Sequence, residues 1–247
     1  MSNRWLVFGP TLPDPALRLF CFHHAGAGAS VYRLWSLEAP PGIDVCAVQL
    51  PGRELRVREP LPTGLTQTVS ELADALAEEL RPPFALFGHS LGARLAFELT
   101  RELRRRGRPL PLRLGLSARR APHLPRRIPL VSRASEPDLI AYLKSTGGLP
   151  EAILREPEFL AMILPVIRAD LELAEAPFEP GEPLPVPISA FCGRDDMLVD
   201  VPEAEAWREH GTSSFRFHSF PGDHFFPARL RAEVTRALYD DISADAR

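Results

Sequence analysis

Residues Gly88-His89-Ser90-Leu91-Gly92 form a Gly-x-Ser-x-Gly pattern between an apolar, β-prone run and a run of helix formers. In this pattern a strand ends on a serine held in a strained turn, and a helix begins directly behind it. Gly88 and Gly92 lack Cβ atoms, so the strand and the helix can approach each other closely around Ser90. The pattern therefore predicts a nucleophilic serine at the end of a strand, with a glycine-rich loop that has no chemistry as the alternative.

A serine hydroxyl is a weak nucleophile at neutral pH and needs a neighbouring base, which in turn needs an acid to orient it. In α/β-hydrolases these groups follow one another in the order serine, acid, histidine. His224 lies in a loop after the predicted strand 214–220, downstream of the serine and of a pair of aspartates. We predict that His224 is the general base, with a surface loop histidine as the alternative. The other histidines lie in the first loop, the serine turn, a strand, or helix-like and proline-rich segments: His23, His24, His89, His123, His210 and His218.

The acid is expected in the loop Gly193-Arg194-Asp195-Asp196, which follows another apolar run. This loop and the histidine loop both come after predicted strands, and the carboxyl ends of parallel strands share one sheet edge. Asp195 and Asp196 both fit the orienting role, and Asp200 and Asp223 lie close to them in the chain. Residue types alone leave this choice open, because aspartate also favours turn positions.

An acyl-transfer site also needs two backbone N–H groups aimed at the oxygen that becomes negative. Leu91, the residue after the serine, supplies one of them in this type of turn. The second comes from the loop His23-His24-Ala25-Gly26-Ala27-Gly28, whose small residues let its backbone approach a ligand. We predict that Ala25 is this second donor.

The rest of the chain supplies the elements that position these residues. Strand signals lie near 17–22, 43–50, 84–89, 112–117, 187–192 and 214–220. Amphipathic helical patterns lie between most of them; Thr68-x-x-Glu71 resembles a capping box, and a last helix is predicted from Pro227 to about residue 242. This alternation predicts an α/β fold with a mainly parallel sheet and helices on both faces.

The strand signals stop between about residues 119 and 185. Helical patterns and prolines fill this segment, with helix starts predicted at Ser135-Glu136-Pro137 and Glu156-Pro157. A long segment of this kind inside an α/β fold is usually functional. We predict that residues 1–247 form one domain in which about 119–185 is a helical lid lining a substrate channel. A small helical domain with only a packing role is the alternative.

Taken together, the motifs resemble those of the stand-alone type II thioesterases of polyketide and nonribosomal peptide synthesis, which have the α/β-hydrolase fold. The resembling segments span nearly the whole chain in family order: Cys21–Gly28, Gln49–Glu54, Gly88–Ala93, Gly193–Asp196 and Gly222–Phe226. Two loops differ from the usual family pattern, because His23 and Ala27 replace a proline and a glycine, and Asp223 precedes the base. The resemblance favours Asp196 over Asp195 as the acid.

This resemblance implies a serine hydrolase with Ser90, Asp196 and His224 as its triad. It implies hydrolysis of acyl thioesters on the phosphopantetheine arm of acyl or peptidyl carrier proteins, which removes stalled or misprimed groups. This chemistry requires neither a metal nor a redox cofactor. The same triad serves other esterases and acyltransferases, and the same fold serves non-catalytic scaffolds that bind a partner, so both stay open as alternatives.

Composition narrows the expected partners and location. The 247 residues carry a net charge of −3, which gives no overall field for nucleic acid or for a membrane surface. The N-terminal stretch lacks the apolar core of a signal peptide, and no apolar run is long enough to span a bilayer. The three cysteines are scattered in apolar runs, which indicates buried thiols in a reduced compartment and gives no metal or disulfide spacing. We therefore expect a cytoplasmic protein.

Residues 101–133 contain eleven arginines and one acid, Glu102. Carrier proteins are often acidic, so part of this segment is a candidate for steering their docking, with Arg104, Arg105 and Arg106 as the residues to test. The alternative is that these arginines have no role in docking, and that they form a solvated basic helix end with further arginines at the edge of the core.

Overall fold

A computed structural model of the chain describes residues 3–149 and 151–245. Seven strands of one sheet lie within these residues: β1 (Leu6–Val7), β2 (Leu17–Phe22), β3 (Ile43–Val48), β4 (Phe84–His89), β5 (Leu114–Ser117), β6 (Ile188–Gly193) and β7 (Phe215–Phe220). Their order across the sheet is β1-β3-β2-β4-β5-β6-β7. Strand β1 is antiparallel to β3, and every other neighbouring pair is parallel.

Helices connect and flank these strands. Within the described residues they are α1 (Arg33–Leu37), α2 (Leu65–Ala75), α3 (Leu91–Arg105), α4 (Glu136–Ser145), α5 (Glu151–Leu154), α6 (Pro157–Glu175), α7 (Val201–Glu205), α8 (Phe226–Arg229) and α9 (Arg231–Asp245). Short 3-10 turns occur at Ala29–Tyr32, Glu54–Arg56, Val131–Arg133 and Ala206–His210.

The centre of the sheet is buried because apolar layers cover both of its faces. All six residues of β4 are buried, as expected for a parallel strand in a sheet covered on both sides. Successive side chains of a strand point to opposite faces. Leu86 belongs to one apolar cluster, together with Phe20. Phe87 belongs to a second cluster, together with Trp35 and Leu238. The end of β4 is therefore held rigidly at the middle of the sheet edge.

This architecture confirms the predicted α/β fold, a mainly parallel sheet with flanking helices of the α/β-hydrolase type. Between β5 and β6 the described residues contain helices and loops, and α4 and α6 begin at Glu136 and Pro157, next to the predicted starts.

Three local predictions differ from the structure. Helix α2 begins at Leu65, so Thr68 does not cap it but lies in its first turn, where its hydroxyl donates to the Gly64 carbonyl. The predicted last helix is two helices, α8 and α9, which meet at Leu230. Strand β1 was not predicted, because two residues are too short to show the period of a strand.

A buried acid on α9, Asp241, ties this helix to β6 and β7. Its carboxylate lies 2.5 Å from the Ser189 hydroxyl, 2.8 Å from Nε2 of His218 and 2.9 Å from Nη1 of Arg216. Burial raises the pKa of Asp241, but these hydrogen bonds outweigh that effect and lower the pKa to about 2. An aspartate whose pKa is lowered by folding stabilises the folded state above its unfolded pKa of about 4, and this stabilisation is lost as the pH falls.

We predict that the wild-type protein exceeds the Asp241→Asn variant in free energy of unfolding by about 2 kcal/mol near neutral pH. Because the Asp241 carboxylate becomes protonated, this difference should shrink as the pH falls from about 5 toward about 2. Urea unfolding at several pH values measures it, with Asp240→Asn as the control, since Asp240 is an exposed neighbour on the same helix. A difference that stays constant down to about pH 2 would contradict the linkage.

Candidate active site

Ser90 lies at the tip of a sharp turn between β4 and α3. Its backbone φ is 56° and its ψ is −110°, a conformation that residues other than glycine rarely adopt. The Ser90 N–H donates to the Ser117 carbonyl at the end of β5, 2.8 Å away. A Cβ on Gly88 would overlap the Gly92 carbonyl, so glycine is needed where the strand meets the helix. The turn has the geometry of a nucleophile elbow.

The β2 loop (residues 23–28) lies against the first turn of α3. A Cβ on Gly92 would overlap the Phe22 carbonyl at the end of β2, and β2 pairs in register with β4 at this point. Among the described residues, nothing accepts a hydrogen bond from the N–H of Ala25 or of Leu91. Two backbone donors near a nucleophile can bind an oxygen that becomes negative during acyl transfer.

The loops after β6 and β7 meet at the same sheet edge. Nδ1 of His224 lies 2.8 Å from Oδ2 of Asp196, and both side chains are buried. The other carboxylate oxygen accepts hydrogen bonds from the N–H groups of Leu198 and Val199, at 2.8 and 3.2 Å. A Cβ on Gly193 would overlap the backbone of the loop that carries the histidine, so this glycine lets the two loops approach. The carboxylate is thus held in place and fixes the orientation of the imidazole.

A cavity of about 540 Å³ joins these groups. Ser90, Ala25 and His224 all line it, so the hydroxyl, a backbone donor and the imidazole border a common space. The Ser90 hydroxyl forms no hydrogen bond with His224 or with another described residue; hydrogen bonds of catalytic groups often tighten only when substrate binds. The groups around this cavity are of the kinds that acyl transfer through a serine uses.

Comparison with known proteins identifies the family. The thioesterase domain family matches residues 17–244, which is most of the chain. The chain belongs to the thioesterase family. Its thioesterase activity and its resemblance to type II thioesterases of polyketide and nonribosomal peptide pathways are thereby confirmed.

Two curated relatives and one solved structure are similar to this thioesterase over most of their length. Linear gramicidin dehydrogenase LgrE of Brevibacillus parabrevis is 39% identical over 228 residues, covering 91% of this chain and 87% of LgrE. Gramicidin S biosynthesis protein GrsT of Aneurinibacillus migulanus is 38% identical over 233 residues, covering 94% and 91%. The solved type II thioesterase BorB from the borrelidin biosynthetic cluster has a TM-score of 0.88 at 34% identity, covering 98% of this chain and 99% of BorB.

The other aspartates near the site of this thioesterase have different partners. Asp195 accepts a hydrogen bond from the Gly222 N–H at 3.1 Å and so braces the histidine loop. Asp200 caps the first turn of α7. Asp223, the unexpected charge beside the base, forms an exposed ion pair with Arg229. None of these three carboxylates contacts the imidazole.

The other histidines do not occupy the place of the base. Nδ1 of His89 lies 3.0 Å from the Ser117 hydroxyl, and the His24 ring packs edge-on against Phe225, with centroids 5.2 Å apart. Burial, and then the charge of His224, lower the pKa of His24 to about 4, so this neighbour stays neutral at neutral pH. The remaining four are hydrogen-bonded to other groups: His23, His123, His210 and His218.

One network beside the site was not predicted from the sequence. Asp170 on α6 is fully buried, accepts a hydrogen bond from the Gly26 N–H at 2.8 Å, and forms a two-pronged ion pair with Arg53 at 2.5 and 2.7 Å. Arg53 also donates to the Ala27 carbonyl at 3.1 Å. Burial raises the pKa of Asp170 and outweighs the lowering effects of Arg53 and Gly26. The sequence signal was an acid three residues after Ile167, at a position where apolar residues recur along the buried side of α6.

The described part of the chain contains no group of three or more His, Cys, Asp or Glu side chains arranged to hold a metal ion. Its helices include none that is long and apolar enough to cross a bilayer. The three cysteines are free and buried.

Proposed function

We propose that this thioesterase hydrolyses acyl thioesters carried on the phosphopantetheine arm of acyl or peptidyl carrier proteins, and so removes aberrant acyl groups. In this proposal Ser90 is the nucleophile, His224 the base and Asp196 the orienting acid. The observation that carries it is the 2.8 Å contact between His224 and Asp196 beside the cavity that Ser90 lines. The similarity to a gramicidin S biosynthesis protein and to a thioesterase of the borrelidin cluster supports the pathway class.

The acylation step uses all of these groups. His224 takes the hydroxyl proton of Ser90 as Oγ attacks the thioester carbonyl carbon, and Asp196 stabilises the imidazolium that forms. The N–H groups of Ala25 and Leu91 bind the oxyanion of the tetrahedral intermediate. The carbon–sulfur bond then breaks, and the imidazolium returns its proton to the departing pantetheine sulfur, which leaves as a thiol.

Deacylation repeats this sequence with water as the nucleophile. His224 removes a proton from a water molecule, which attacks the Ser90 ester while the same two N–H groups bind the oxyanion. The carbon–oxygen bond to Ser90 breaks, the serine regains its proton from the imidazolium, and the free acid leaves. No metal or redox cofactor takes part in this cycle.

We also propose that residues 1–247 form one domain, in which about 119–185 is a helical lid. Tyr142 and Leu171 from this segment line the cavity together with Ser90, which supports a role in holding the acyl group. The three free, buried cysteines support a reducing, cytoplasmic location.

The dehydrogenase activity in the name of LgrE has no counterpart in the glycine loop of this chain. A dinucleotide site uses Gly-x-Gly-x-x-Gly at a strand–helix turn and leaves room for a pyrophosphate. Here the third glycine is replaced by Val31. The Glu54 carboxylate occupies the position that a Cβ on Gly28 would take, and it accepts a hydrogen bond from the Ser30 hydroxyl at 2.5 Å. Its negative charge would repel a pyrophosphate.

A rapid-quench experiment with an acyl group loaded on a carrier protein tests the proposal. We expect free acid as the product and an acyl ester on Ser90 whenever deacylation is the slower step. Mass spectrometry of the peptide that contains Ser90 measures the ester, and Ser90→Ala and the unloaded carrier are the controls.

Other outcomes of the same experiment support the alternatives. Transfer of the acyl group to an added alcohol in preference to water would indicate an acyltransferase, and faster turnover of a matched oxoester would indicate an esterase. Carrier binding without any turnover would indicate a non-catalytic scaffold. An ester on a residue other than Ser90 would contradict the assigned nucleophile.

A further inference from the structure

Seven of the eleven arginines in the basic segment 101–133 lie in two groups in the structure. Three arginines at the end of α3, about 20 Å along the helix from the elbow, each contact a carboxylate: Arg104, Arg105 and Arg106. Four others line the cavity beside Ser90: Arg119, Arg120, Arg126 and Arg127. The distant arginines are paired with carboxylates on the surface, whereas the cavity is lined by these four arginines, by Arg94 and by one acidic residue, Glu175.

Two of the cavity arginines have carboxylate partners and two do not. Arg120 and Arg127 pair with Glu203 at 3.2 and 2.6 Å. Among the described residues, no carboxylate lies within ion-pairing distance of Arg119 or Arg126. These two donate instead to the last backbone carbonyls of α6, at 2.5 and 2.6 Å, where the helix dipole offers partial compensation.

Arg119 is the more confined of these two cations. Its Nε is buried and has no hydrogen-bond partner among the described residues. Burial lowers the pKa of Arg119 to about 10, and the charges of Arg94, Arg126 and Arg120 act in the same direction. The guanidinium stays charged at neutral pH although, among the described residues, it has a backbone carbonyl and no carboxylate as its partner, an arrangement that an incoming anion would stabilise.

Arg119 also lies close to the reacting serine. It follows a turn at Ala118, where φ is 48°, and the carbonyl of Ser117 just before this turn accepts the Ser90 N–H. Its Cα therefore lies within about 10 Å of the Ser90 backbone by chain geometry. The phosphate of a phosphopantetheine arm, in contrast, lies at the opposite end of the arm from the thioester sulfur. The acyl group begins at Ser90 itself, beside the cavity that both Ser90 and Arg119 line.

We propose that Arg119 binds a carboxylate at the free end of the acyl group, so that the substrates of this thioesterase include half-thioesters of short dicarboxylic acids. A guanidinium binds a carboxylate through two parallel N–H···O bonds, which makes malonyl and succinyl groups the expected class. This inference rests on the proposed function, because it places the acyl group in the cavity beside Ser90.

A set of thioesters made from four acyl groups and two thiols tests the inference. Malonyl and isovaleryl groups form one pair of equal shape, succinyl and isocaproyl groups form a second, and in each pair only the first carries a charge. Each acyl group is presented on N-acetylcysteamine, which has no phosphate, and on phosphopantetheine, which has one. Hydrolysis by Ser90→Ala is subtracted as the blank.

The measured quantity is the kcat/KM for the charged acyl group of a pair divided by the kcat/KM for the neutral one. For at least one pair, Arg119→Met should lower this ratio by about tenfold to a hundredfold, and by the same factor for both thiols. Arg119→Lys should restore part of that ratio, because it keeps the charge but not the two parallel bonds. The matched control is Arg120→Met, which removes a neighbouring cavity arginine that already has a carboxylate partner, and its ratio should change by less than about threefold.

Several results would overturn the inference. An equal loss for charged and neutral acyl groups would mean that Arg119 only caps α6, and a loss confined to the phosphopantetheine thioesters would assign it to the phosphate. An unchanged ratio would also reject it. A different result would contradict the proposed function itself: the absence of Ser90-dependent hydrolysis of the neutral isovaleryl thioesters by the wild-type protein.

Discussion

Replacing Asp196 with asparagine should lower kcat by about four orders of magnitude while the protein stays folded. The N–H groups of Leu198 and Val199 both point at one oxygen of this carboxylate. An asparagine at this position must direct its carbonyl oxygen toward these two N–H groups, because its NH₂ group cannot accept hydrogen bonds from them. Its NH₂ group therefore faces Nδ1 of His224. The imidazole then carries its proton on Nε2 and cannot accept the proton of Ser90.

The neighbouring aspartate provides the matched control for this prediction. Asp195→Asn removes a carboxylate from the same turn, but its contact is with the Gly222 N–H and not with the imidazole. Its kcat should stay within about tenfold of the wild-type value, the scale of one peripheral hydrogen bond. In a Ser90→Ala background, Asp196→Asn should have little further effect, because the triad acts as a unit. A larger loss for Asp195→Asn than for Asp196→Asn would move the orienting role to Asp195.

The fold could be predicted because its signals are local and repeated. Runs such as those of β2, β4 and β6 are apolar nearly throughout, as strands covered on both faces must be, and helical patterns separate most of them. The errors occur where the signal is short or ambiguous. Thr68 fits a capping box as well as a first helical turn, and β1 depends on its pairing with β3 and not on its own sequence.

The candidate site could be predicted in outline for a similar reason. Parallel strands bring their carboxyl ends to one edge, so residues that follow β4, β6 and β7 must come close together. The sequence could not choose between Asp195 and Asp196 without the family resemblance. That choice depends on which carboxylate receives the N–H groups of Leu198 and Val199, and this depends on the exact path of the turn.

The contact between Arg53 and Asp170 could not be predicted, because these residues are 117 positions apart. An acid on the buried side of a helix signals that a partner exists, but it does not identify that partner. The same limit applies to Arg119, which has no carboxylate partner among the described residues; this is apparent only when the packing around Arg119 is known. Long-range polar contacts of this kind can therefore be identified only from the structure.

Asp170 connects α6 to the β2 loop, which carries Ala25. Its carboxylate holds the Gly26 N–H directly and holds the Ala27 carbonyl through Arg53. Ala25 is thus anchored on its C-terminal side by two neighbours that Asp170 fixes. If Ala25 donates to the oxyanion as proposed, Asp170 is a positioning residue for that N–H group, and the catalytic rate depends on it.

We predict that Asp170→Leu lowers the free energy of unfolding by about 3 to 5 kcal/mol, because it leaves the Arg53 guanidinium buried without a partner. It should also lower kcat by about a hundredfold, the scale of losing one oxyanion donor, with a smaller change in KM. Urea unfolding and steady-state kinetics measure the two effects. Glu59→Gln is the control, because it removes the partner of another buried arginine, Arg56, without touching the β2 loop.

A double variant separates positioning from stability. Arg53→Met combined with Asp170→Leu replaces the buried ion pair with apolar side chains of similar size, which often restores stability. The double variant should therefore unfold close to the wild-type urea concentration, yet it should keep the low kcat, because the Gly26 N–H and the Ala27 carbonyl have still lost their partners. Recovery of kcat together with stability would show that the ion pair only supports folding, and that the β2 loop holds Ala25 in place by itself.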